Sequence, residues 1–247
     1  MAVAPADPVS AARIPAGFAP AGFWARYAAW SLDAACLLPL VALLGASKLS
    51  YAVADARGAL QALIAEMPRL LGEALGAAQA PALLAQHLLA DPATAAAADR
   101  LESAIGTLLF TPLLLYALLA LPYSVLCEQS RRQATPGKRA LGLVVTDAQG
   151  KRLKGGHALL RFFAAGLSWL LLNIGHALAL LPPQHLALHD RLSDTRVLRP
   201  AASPRLPLWA KAWLALQALA MVAAVAGLFL WLQAAMQAAM QQSLGGI

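Results

Sequence analysis

The sequence predicts an all-α integral membrane protein, on three observations. Of its residues 60% are hydrophobic and only 13% charged, its mean hydropathy is +0.62, and its apolar residues gather in long runs. Ordinary soluble domains carry about a quarter charged residues. The runs lie at 27–46, 104–126, 158–181 and 208–232, each able to cross about 30 Å of hydrocarbon at about 1.5 Å per residue. An open sheet would leave backbone groups unpaired in lipid, so the runs are read as helices.

The elements follow in order. Residues 1–21, rich in Ala and Pro, read as a disordered tail with no cleavable signal, so the first helix serves as an uncleaved anchor. Residues 22–200 form the main membrane domain, and 201–247 add one more transmembrane helix and a tail. Within the main domain the insertion 47–103 places Leu60, Leu63, Ile64, Met67, Leu70 and Leu71 at helical spacing. Pro81 divides the insertion. Asp91 is a suitable N-cap with Pro92 at the first helical position, and the following TAAAADRLESAIG continues into the second run. Pro112 and Pro122 predict kinks there. Leu141, Leu143 and Val145 alternate before the turn-forming Asp147 to Gly150, which predicts a short strand and hairpin. Residues 195–198 form a second β-prone piece, able to pair with the first only on the same membrane side.

Charge sets the orientation. Arg131, Arg132, Lys138, Arg139, Lys151, Arg152 and Lys154 place the loop 127–157 in the cytoplasm, with the N-terminus beside it. Arg191, Arg196, Arg199 and Arg205 argue the same for 182–207. The run 158–181 then either crosses once or dips in and returns as two half-helices; basic residues on both flanks favour the return. Only that choice decides the side on which the C-terminus lies. The net charge of +7 is assigned to anionic lipid headgroups rather than nucleic acid, because no aromatics interleave the basic residues. Cys36 and Cys127 form no paired framework and read as small packing residues.

Arg26 with Asp33 seven residues on, the loop Glu128 … Thr135-Pro136-Gly137-Lys138-Arg139 … Gly142, and His189-Asp190-Arg191-Leu192 … Thr195-Arg196-Val197 resemble, over residues 20–200, the RDD family of bacterial membrane proteins. That family is named for one Arg and two Asp, here Arg26, Asp33 and Asp190. The resemblance implies the membrane fold and a suggested role in transport. The chain departs from the pattern in its long 47–103 insertion, in the helix after 207, and in Asp194 where Gly is common.

Asp33 sits where hydrocarbon should be, at a cost of about 3 kcal/mol. Arg26 and Asp33 share a helix face but stand about 10.5 Å apart along the axis, too far for a simple pair. Arg26 is expected to snorkel to the headgroups. Asp33 is expected to pair with Arg161, which lies at similar depth. Such a pair either locks two helices together or makes Asp33 a proton or cation site. His176 with Asn173 either extends a relay or hydrogen-bonds a carbonyl. Asp190 is expected in a separate cluster, accepting from the backbone or from Lys138 and Arg139.

The pattern His185, His189, Asp190, Asp194 raises a metal reading, set aside because no upstream ligands complete it and Pro182-Pro183 disturb the helix. TPGK at 135–138 lacks the first Gly and the Ser or Thr of a phosphate loop, so Gly137 is read as a turn residue. No nucleophile with its base is visible, so no enzyme, cofactor or metal is expected. Two functions remain: small-ion or solute transport, proton-coupled, through a homo-oligomer, and a scaffold that binds other membrane proteins or anionic lipid.

Overall fold

The computed structural model describes residues 14–76, 91–171, 173–203 and 205–245. The expected break at Pro81 and the first thirteen residues of the tail lie outside these. The described chain runs β1 (Phe18–Pro20), α1 (Phe23–Gly76), α2 (Pro92–Gln129), α3 (Pro136–Ala140), β2 (Val144–Asp147), α4 (Gly155–Leu170), α5 (Ile174–Ala177), a 3-10 turn at Leu178–Leu180, α6 (Leu188–Leu192), β3 (Thr195–Pro200) and α7 (Leu208–Gly245). Among the described residues three helices are long and apolar enough to cross a membrane: Phe23–Glu66, Pro92–Gln129 and Leu208–Ala238. The protein is an all-α membrane protein with one small sheet.

In its described residues the insertion is helical, as its spacing predicts. α1 continues without a break through it to Gly76, about 80 Å of helix at 1.5 Å per residue. α2 begins as expected: the Asp91 carboxylate accepts from the Thr94 backbone N–H at 2.9 Å and from its hydroxyl at 2.8 Å, and Pro92 needs no acceptor at the first position. α2 stays helical through Pro112 and Pro122.

The chain forms two compact units, one of residues 1–39 and 116–215, the other of 40–115 and 216–247. The first carries the sheet. Instead of a hairpin, three strands form in the order β1-β3-β2, all antiparallel. Val145 faces Val197 in the β2–β3 register and Ala19 faces Arg199 in β1–β3. The turn after β2 is present, with the Asp147 side chain accepting from Gln149 and Lys151 N–H, but it returns no second strand. The partner comes instead from β3. β1 lies in a stretch read as disordered.

Ala21, just before α1, and Ala25 and Ala29 in its first turns are small residues buried with Leu143, Val145, Leu153, Ala158 and Val197. Spaced at four residues, they let α1 lie close to the sheet. Asp33 is the next residue of that row. An aromatic cluster joins α1, α2 and α4 through Trp30, Tyr116 and Trp169, with ring centroids 5.8 to 6.5 Å apart.

β2 and β3 belong to one sheet, so the chain between them begins and ends at the same place. Both flanks of the run 158–181 therefore lead back to that sheet. Its two helical halves, Gly155–Trp169 and Ile174–Leu180, meet at a bend of 113°. Asn173 ends the first half, with left-handed φ of 64° and its N–H donating to the Ser168 carbonyl at 2.7 Å; Asn tolerates that conformation better than most residues. A Cβ on Gly175 would collide with the Ser168 side chain and reach 3.0 Å from the Leu188 Cβ. The two halves close only because position 175 is Gly.

Candidate functional site

Asp33 holds the N-terminal turn of α3. Its carboxylate accepts from the Gly137 backbone N–H at 2.7 Å, the Tyr123 hydroxyl at 2.7 Å and the Thr135 hydroxyl. Those donors offset the loss of hydration that burial imposes on a carboxylate. Thr135 caps the same helix, and Pro136 opens it. A Cβ at position 137 would overlap the Ala29 carbonyl oxygen and stand 2.9 Å from the Asp33 carboxyl carbon. Gly137 is thus required by close approach, not by the turn predicted from TPGK. The expected Asp33–Arg161 pair does not form.

Arg161 instead joins a second cluster. Its guanidinium pairs with Asp190, donates to the Thr195 hydroxyl at 2.7 Å, and lies 3.3 Å from Glu128. Arg26 pairs with the other oxygen of Asp190 and donates from Nε to the Ala21 carbonyl at 2.8 Å. Arg26 therefore does not snorkel: its side chain is only 12% exposed. Asp190 also accepts from the Ala187 N–H at 2.9 Å, so the backbone half of its expected partners is present. Lys138 pairs with Glu128 rather than Asp190, and Arg139 is exposed, as is Arg191. Residues from α1, α2, α3, α4, α6 and β3 meet in this one cluster.

The electrostatics follow from burial and from that pairing. Burial alone raises a carboxyl's pKa, but Arg26 and Arg161 override it and hold Asp190 far below the ordinary range. His189 is pushed well below the ordinary imidazole value of 6.5, mainly by burial, with Asp190 opposing and Arg161 assisting. Its Nε2 lies 3.4 Å from Asp190 and its ring centroid 5.1 Å from that of His176. The Nδ1 atoms of both rings are buried without a hydrogen-bond partner among the described residues. His176 does not bond a carbonyl through Nδ1, then, and its neighbour is a second imidazole. Asn173 is exposed at the bend.

His185 lies outside α6 and its Nδ1 is 2.9 Å from the Ala179 carbonyl. Asp194 adopts φ of 49°, the left-handed geometry that Gly would take there without strain. Among the described residues no group of three or more His, Cys, Asp or Glu is arranged to hold a metal ion. Sequence spacing missed Tyr123, because it acts on Asp33, a residue distant in the chain.

Residues 20–194 match the RDD family. The chain is also 36% identical over 93 residues to the uncharacterized protein YxaI of Bacillus subtilis (strain 168), a match that covers 37% of this chain and 61% of that protein. The match thus spans less than two thirds of that relative's length. No solved structure matches. The three charges that brought the resemblance to notice are Arg26 and Asp190, joined to each other, and Asp33 seven residues along the same helix; with the family match over most of the chain, they identify this protein as a member of the RDD family.

Proposed function

We propose that the chain is one subunit of an oligomeric transporter for a small ion or solute in a bacterial inner membrane, with the sheet on the cytoplasmic side. The observation that carries this reading is the broken segment: irregular backbone at Asn173, between helical halves set at 113°, with the His176 and His189 rings 5.1 Å apart and their Nδ1 atoms without a hydrogen-bond partner among the described residues. Irregular backbone at membrane depth is tolerated only inside protein or along a water-filled cavity. Asn173 is exposed in the single chain, so a second subunit or an aqueous path must cover it. Broken helices of this kind supply binding groups at mid-membrane in transporters. The reading gives the Arg26–Asp190–Arg161–Glu128 cluster and Asp33 the work of holding the frame, since each carboxylate already has its donors, and it assigns the protein no catalytic chemistry.

The test is ion flux in liposomes reconstituted with the purified chain, over several monovalent cations at two pH values, beside His176→Gln and Asp33→Asn. His176→Gln is expected to lower flux at least about tenfold with unchanged abundance, the scale on which general proton-transfer groups act. Asp33→Asn is expected to lower abundance, not flux per molecule. Flux untouched by His176→Gln would remove the segment from the path.

A second reading, a scaffold binding other membrane proteins, draws on α7, whose apolar residues stay exposed along the chain, Leu219 at 66% and Val222 at 65%. It predicts silence in every flux condition, and loss of a partner complex when α7 is deleted.

A further inference from the structure

A cleft of about 340 Å³ opens where α1 begins, lined by the first turn of that helix, Leu180, His185, Arg199 and Leu206. We propose that it binds a phosphate-bearing anion, the chemistry shared by an acidic phospholipid headgroup and free phosphate. Arg199 carries the argument. Its Nε is buried with no hydrogen-bond partner, and no carboxylate pairs with it among the described residues. A cation with a buried, unpaired donor is unfavourable until an acceptor arrives.

The other groups around the cleft are also donors. His185 lines the cleft with its Nδ1 2.9 Å from the Ala179 carbonyl; a carbonyl only accepts, so Nδ1 carries the proton. The first helical bond of α1 runs from the Arg26 N–H to the Gly22 carbonyl, so the N–H groups of residues 22–25, the ones that line the cleft, have no acceptor within the helix. Gly22 has no side chain to cap them. The lip is apolar, with Trp24 57% and Leu180 51% exposed. The cleft lies where the first membrane span starts, the level at which headgroups sit and acyl chains begin. Donors within and apolar residues at the rim suit an acidic amphiphile. The site does not rest on the transport reading.

The test is native mass spectrometry of the full chain in a neutral detergent, offered phosphatidylglycerol, phosphatidylcholine or inorganic phosphate. Phosphatidylglycerol is expected to be retained over phosphatidylcholine. Arg199→Gln is expected to weaken retention about tenfold, as loss of one charge-assisted hydrogen bond does, while Arg199→Lys keeps most of it and the neighbouring Arg205→Gln, outside the cleft, keeps all. Lipid that stays bound against millimolar phosphate identifies the headgroup as the source; phosphate that binds and expels lipid identifies the free ion. Equal retention of the two lipids with no phosphate bound, or equal weakening by Arg199→Gln and Arg205→Gln, overturns the site. Should Arg199→Gln fail to fold, His185→Gln and the wild-type lipid preference decide the matter.

Discussion

At the scale of the residue, the two aspartates divide the labour differently from what spacing suggests. Asp33 accepts from a backbone N–H and two hydroxyls, whereas Asp190 neutralises two arginines. That Asp33 needs partners within the protein was legible in the sequence, since a carboxylate inside an apolar run is costly without them. Its partners were not, because nothing local links residue 33 to Thr135, Gly137 or Tyr123. The same holds for Arg161, whose depth matched Asp33 but whose donors reach Asp190.

Acid should loosen this cluster in two stages. His189 has a folded pKa below 6.5, so the unfolded chain takes up its proton first, and stability is full above about pH 6.5 and falls as pH drops below it. Asp190 is likewise depressed, so its contribution is full above about pH 4 and is lost as pH falls further. Thermal unfolding in detergent between pH 8 and pH 3 should therefore show a decline near pH 6 that His189→Gln abolishes, and a steeper one in strong acid that it leaves. An unchanged decline near pH 6 in His189→Gln would assign it to another group.

At the scale of the element, close approach decides where helices meet. α3 rests on α1 only because position 137 has no side chain. Gly137→Ala should destabilise the protein by about 1–3 kcal/mol, as overpacking does, in the same unfolding measurement. Gly156→Ala, with open space around it, should be neutral or better. Equal effects would show that the contact with the Ala29 carbonyl matters little. The long helices and the Asp91 cap were legible because periodicity and capping are local signals. β1 was not, since three residues ending in Pro carry no alternation to read, and their pairing comes from β3 some 180 residues later.

At the scale of the whole molecule, the sheet sets the topology. Both ends of the broken segment return to it, so single cysteines replacing Gln149 and Arg191, in a chain freed of Cys36 and Cys127, should react with an impermeant thiol reagent from one side of sealed vesicles. One replacing Gln241 should react from the other. Labelling of 149 and 191 from opposite sides would show a segment that crosses. Basic flanks hinted at this return; the pairing of β2 with β3 that supports it joins residues about fifty apart, beyond the reach of local pattern.

The central strand of the sheet is the last of the three to be made. β1 and β2 each pair with β3 and not with each other, so during synthesis both wait, without partners, until residue 200 has left the ribosome. Asp190, which Arg26 needs, emerges only shortly before. Two spans and the broken segment must therefore enter the membrane before the clasp that fixes them exists, and a chain that stops short of β3 would carry its helices with nothing to hold them in register.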